Sequence, residues 1–96
     1  MNYIVLDLEW NQSASGKSGE VAELPFEIIE FGAVKMDGSK NIIDNFNETV
    51  CPQVYKKLHF ATKNLIKVKE EELKKSRTFK EVAEDFIKWC GSDYTI

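Results

Sequence analysis

Phe79, Val82, Ala83, Phe86, Ile87 and Cys90 recur at i, i+3, i+4, i+7, i+8 and i+11, which aligns them in one apolar stripe of a helix. Thr78, followed three residues later by Glu81, is a capping box, and Gly91 just past the stripe is a terminator, so a helix over 79–90 is bounded at both ends. Such a stripe has to be buried against another layer. The segments able to supply that layer all precede Pro52. Tyr3 to Trp10 is rich in strand formers, and its unbroken apolarity from Tyr3 to Leu6 predicts a central strand covered on both faces. Glu27 to Met36 carries Ile28, Ile29, Phe31 and Val34, with Gly32 arguing against a helix; Asn41 to Val50 alternates so that Ile42, Phe46 and Val50 share a face. Asp37-Gly38 between them predicts a type I′ hairpin turn. The expected fold is α/β: a three-stranded antiparallel meander from 3–10, 27–36 and 41–50, with the 79–90 helix packed on it through Phe79, Val82, Phe86 and Ile87.

Between these elements the patterning is weak. Asn11 to Gly19 is small and polar and predicts a loop that Pro25 closes. Residues 53–77 predict only short helical pieces around Lys63–Lys67 and Lys69–Lys75. Asp93 to Ile96 begins another strand-like run, so the 96 residues are expected to form part of one domain, truncated at its fourth strand. An unpaired edge and uncovered apolar surface would then favour dimerisation or strand exchange. A hydrophobic content of 43% with 30% charge argues against disorder. The N-terminal apolar run is short, has no basic lead and meets an acid at once, which predicts neither a signal peptide nor a membrane span, and a cytoplasmic location. Cys51 and Cys90 lack the spacing of a disulfide framework or a metal site and read as a loop thiol and a buried reduced thiol.

Charge is segregated along the chain. Residues 1–55 hold three basic and nine acidic side chains, 56–80 nine against three, and 81–96 one against four. A basic stretch beside an acidic lobe suits contact with phosphates near a cation. Within the acidic lobe, Asp7 and Glu9 alternate along a strand and so share a face, with α-carbons about 6.5–7 Å apart. Two carboxylates at that spacing can both reach one divalent cation or bridge a pair. Ile4, Leu6, Leu8 and Trp10 fill the opposite face. Gly16-Lys17-Ser18 is not a phosphate-binding loop: Asn11 stands where that motif needs its first glycine, and Gly19 and Pro25 oppose a following helix.

Asp7-Leu8-Glu9-Trp10-Asn11, then Phe26-Glu27-Ile28-Ile29-Glu30-Phe31-Gly32-Ala33-Val34, then Phe46, Val50 and Pro52, and finally Thr78, Phe79, Val82, Phe86 and Trp89 resemble the DEDD exonucleases. The helix pattern is similar to the branch that trims histone mRNA and small RNAs. The resemblance implies an RNase H-like fold, of which this chain would be the N-terminal part. It implies removal of nucleoside monophosphates from RNA or DNA 3′ ends by a two-metal site using Mg²⁺ or Mn²⁺. Asp7 would be shared by the metals, Glu9 would hold the water-activating one, and Leu8, Trp10 and Asn11 would contact the terminal nucleotide, partly through backbone. The family's further acids and general base have no counterpart here: Asp93 precedes the fourth strand, His59 reads as a loop histidine, and Asn64-Leu65-Ile66-Lys67-Val68 departs from a family substrate-contact segment. The chain alone is therefore expected to be inactive. A rival reading is a non-catalytic nucleic-acid-binding module built on the basic 56–80 segment.

Overall fold

A computed structural model describes residues 1–21, 24–66 and 69–96. Four strands form one sheet: β1 (Asn2–Asn11), β2 (Glu27–Met36), β3 (Ile42–Thr49) and β4 (Tyr94–Thr95). Their order is β3-β2-β1-β4. β1–β2 and β2–β3 are antiparallel, as the alternation predicts, but β4 runs parallel to β1 through Asn2 and Tyr3, so the sheet is mixed. The helices are α1 (Phe60–Leu65), α2 (Glu70–Lys74) and α3 (Phe79–Cys90). The first two occupy the weakly patterned stretch, and α1 starts earlier than the sequence suggests because His59 caps it, its Nδ1 accepting from the Ala61 N–H at 3.1 Å. Lys67 and Val68 of the predicted pieces lie outside the described residues. No helix among the described residues is long and apolar enough to cross a membrane.

α3 has the predicted limits and the full reciprocal capping box, and Gly91 ends it at a φ of 80°. Its buried stripe is Val82, Phe86 and Cys90, which meet Ile4, Phe31, Ala33 and Val50 on one sheet face. Burying each side chain the size of Val82 or Phe86 stabilises by about 1.5–3 kcal/mol. Ile87, expected in the stripe, is 63% exposed, and Trp89 takes its share of the packing. The indole lies 5.7 Å from the Phe46 ring, donates to Asp44 at 2.9 Å and carries the Lys35 ammonium over its face. A wide aromatic with a polar edge can span the stripe's border in a way that Ile87 cannot.

Two irregularities correct the expected hairpin. The turn is not a two-residue type I′ turn: the Lys40 N–H bonds the Asp37 carbonyl, and Lys40, not Gly38, takes positive φ at 67°. The Asp37 carboxylate stabilises this longer turn by accepting from the Ser39 and Asn41 N–H groups, both at 2.9 Å, and the Asn41 bond above all lowers its pKa. The β2–β3 register then slips next to Met36, and Ile42 ends 69% exposed, off the face it was expected to share with Phe46 and Val50.

β1 is covered on one face only. Ile4 is buried under α3, whereas Tyr3 and Val5 on the other face are 42% and 56% exposed. The apolar run read as a doubly covered strand thus has one face open. The radius of gyration, 15.0 Å, exceeds the roughly 12.5 Å of a compact domain of this length, and the extents of 47 × 26 × 21 Å show an elongated molecule.

Candidate active site

The open face of β1 carries Tyr3, Val5, Asp7, Glu9 and Asn11 in alternation. Asp7 is exposed and Glu9 half-buried. Gly32 lies opposite Asp7 in β2 and Glu30 opposite Glu9. A Cβ at Gly32 would meet the Asp7 carbonyl at 3.4 Å and the Asn47 Oδ1 at 3.5 Å. Glu30 brings a third carboxylate to the pair, and its pKa is raised, first by burial and then by the charges of Glu9 and Asp7. No lysine or arginine forms an ion pair with these acids among the described residues. Glu30 was not singled out in the sequence because β1 and β2 are joined by a long loop, and no short turn sets the register that makes it Glu9's partner.

The neighbouring candidates separate by environment. Leu8 packs its side chain on the α3 core, so only its backbone is free to touch a nucleotide. Trp10 is 53% exposed and rests against Phe26, with ring centres 5.9 Å apart. Asn11, expected with Leu8 and Trp10 as a nucleotide contact partly through backbone, has its side chain engaged within the fold. It is fully buried, its amide donates to the Tyr55 and Lys57 carbonyls at 3.0 and 3.2 Å, and its oxygen accepts from the His59 N–H at 2.9 Å. Every polar site of that side chain is engaged in holding the 53–59 loop. Glu27, its cross-strand partner, accepts from the Gln53, Val54 and Tyr55 N–H groups at 2.8, 2.9 and 2.9 Å. A bulge next to Trp10 sets up this pairing and frees Ile29 to join Leu58 and Leu73 in a second core cluster. Buried polar side chains at a strand end are the signal for such anchors, but their partners are far along the chain.

His59, as a helix cap, has its Nδ1 occupied. The basic stretch is not one patch: Lys63 pairs with Glu70 at 3.4 Å, and Arg77 with Asp85 and, at 3.7 Å, Glu48. Gly16–Gly19 is a single 3-10 turn, and no α-helix follows directly after Ser18 among the described residues, in keeping with rejection of a phosphate-binding loop. Cys90 is buried, which raises its thiol pKa, and both cysteines are free.

The β3-β2-β1-β4 sheet with a helix on one face is similar in fold to solved nucleases. The nuclease domain of 3′hExo, described as a DEDDh family member bound to rAMP, superposes with a TM-score of 0.78 at 24% identity, over 98% of this chain and 49% of that one. Cell-death related nuclease 4 gives 0.77 at 22% identity, over 98% and 33%. A 3′-exonuclease solved for 3′-end-specific recognition of the histone mRNA stem-loop gives 0.75 at 23% identity, over 93% and 30%. The chain thus spans between 30% and 49% of the length of these proteins, and it shares their RNase H-like sheet. No curated protein sequence matches it significantly. The family model of the RNase T type, described as an exonuclease, matches residues 4–96, from the third residue of β1 onward through the acid row, the meander and α3, and the chain therefore belongs to that exonuclease family.

Proposed function

We propose that this chain supplies the acidic strand of a metal-dependent 3′→5′ exonuclease that releases nucleoside monophosphates from nucleic-acid 3′ ends. The observation that carries this reading is the open row of Asp7 and Glu9 with Glu30 opposite, on a strand whose other face is packed. Hard carboxylate oxygens with room for water and phosphate oxygens suit Mg²⁺ or Mn²⁺, which proteins hold through one or two carboxylates plus substrate phosphates. Asp7 would be shared between ions, and Glu9 would hold the one next to the attacking water. Bound ions there would lower the pKa of that water and neutralise charge on the phosphate. Leu8 would offer its backbone to the terminal nucleotide, and Trp10 an exposed ring face to its base. Asn11 acts as a positioning residue by fixing the loop beyond the acids.

Among the described residues no group of three His, Cys, Asp or Glu side chains is arranged to hold a metal. The remaining ligands and the general base would therefore come from outside this set, and metal affinity should be weak. β4 pairs with β1 through only two residues, and Tyr94 and Ile96 are exposed at 36% and 66%, so self-association through this edge is part of the proposal and is read by light scattering. The metal site is tested by titrating Mn²⁺ and following amide line broadening. Residues 7–11 should broaden first, and Asp7→Ala should remove the effect. Broadening confined to Glu70–Glu72, with none at Asp7, would reject the site.

A further inference from the structure

The acid row does not stop at Glu9. Asn11 is the next residue on that face, about 6.6 Å further along the strand, and its amide reaches directly into the 53–59 loop. That loop is tied down around Lys56 and Lys57: Glu27 holds the Gln53, Val54 and Tyr55 N–H groups, and Asn11 holds the Tyr55 and Lys57 carbonyls and the His59 N–H. The Tyr55 hydroxyl adds a tie, donating to the Leu24 carbonyl and accepting from the Val21 N–H at 2.9 Å. The two lysine side chains between these anchors are exposed. They face Ala14 and Ser15 across an open cleft of about 360 Å³. Lys17, on the same serine-rich loop, lines a separate hollow with Gln12, Ser13, Gly16 and Glu20.

Among the described residues neither Lys56 nor Lys57 forms an ion pair, unlike Lys63 and Arg77 of the same basic stretch. The bonded backbone fixes where both lysines leave the loop, and their flexible stems leave two unneutralised ammonium groups within reach of the cleft. Two unneutralised cations next to a cleft favour a ligand with several negative charges.

We infer that the Lys56–Lys57 cleft is a second subsite for a single-stranded nucleic acid, holding backbone phosphates of the strand whose 3′ end lies at Asp7 and Glu9. The inference rests on the exonuclease reading for its orientation. Contacts of this kind fix register without reading base sequence.

The test is binding of a fluorescein-labelled single-stranded oligonucleotide in EDTA across a salt series, where neither metal nor cleavage contributes. Loss of two phosphate contacts to a single strand should lower the slope of log K against log salt by about 1.4, or ~25-fold in affinity at 0.1 M salt. Lys56→Ala/Lys57→Ala should show this loss with amide shifts outside the loop unchanged. Lys74→Ala/Lys75→Ala, an equal charge change at exposed positions on and after α2, should leave the slope as it is. Equal slopes for the 56/57 variant and the parent chain, equal losses for both variants, or no measurable binding by the parent chain would each overturn the subsite. So would competition by polyglutamate as strong as by unlabelled oligonucleotide, which would point to an acidic protein partner. A full 56/57 effect without Mn²⁺ broadening at Asp7 would sink the exonuclease reading and leave the cleft standing; the reverse pattern would do the opposite.

Discussion

Asn11→Ala is the most informative single change, because it strips three partners at once from a fully buried side chain. The bond to the Tyr55 carbonyl is buried, and those to the Lys57 carbonyl and the His59 N–H are partly buried. At ~1–3 kcal/mol for the buried group and ~0.5–1.5 kcal/mol for each partly solvated one, the loss comes to about 2–6 kcal/mol. A chain of this length is expected to have ~5–14 kcal/mol in total, so the variant should be severely destabilised or locally unfolded at 53–59. Urea unfolding followed by tryptophan fluorescence reads the global cost, and amide hydrogen exchange at Tyr55 and His59 reads the local one. Asn11→Asp keeps the acceptor for His59 but turns an anionic oxygen toward two carbonyls, so it should cost at least as much as alanine. A loss below about 0.5 kcal/mol in Asn11→Ala, with unchanged exchange at His59, would refute the view that this side chain organises the loop, since that is the scatter of ordinary surface substitutions.

The 96 residues alone, given Mn²⁺ and a 3′-labelled oligonucleotide, are expected to yield no product; robust cleavage abolished by Asp7→Ala would show that unrecognised residues complete the site. Glu30 has a folded pKa above its ordinary 4.5, so the native state binds a proton more readily than the unfolded chain, and its ionisation costs stability at neutral pH. That cost should fade as pH drops through the raised value towards 4.5, and Glu30→Gln should remove this pH dependence, raise neutral-pH stability and weaken Mn²⁺ binding; unfolding curves flat with pH in the parent chain over that window would contradict it. On α3, Ile87→Gln should change stability by less than about 0.5 kcal/mol, whereas Val82→Ala, at a position with no exposure, should cost ~2 kcal/mol or more; the opposite ranking would mean that the helix is rotated on the sheet.

The amino-acid sequence by itself determined the elements whose signals are local. β2 and α3 have the limits that strand formers, a capping box and a helix-ending glycine dictate, because those signals act within a turn or two of the backbone. The same-face placement of Asp7 and Glu9 is equally local, following from the two-residue period of a strand. Tertiary structure decided what depends on register and on residues distant in sequence. Glu30 becomes Glu9's neighbour only through the β1–β2 pairing, and the bulge beside Trp10 redirects Ile29 to a second core. The Asp37 carboxylate moved the hairpin's left-handed residue from Gly38 to Lys40 by offering the backbone a longer turn. Asn11 stands beside the acids, yet the partners of its side chain lie more than forty residues away and bury it completely. A hydrogen bond across that separation leaves no periodicity in the sequence; it exists only once the sheet and the loop have met.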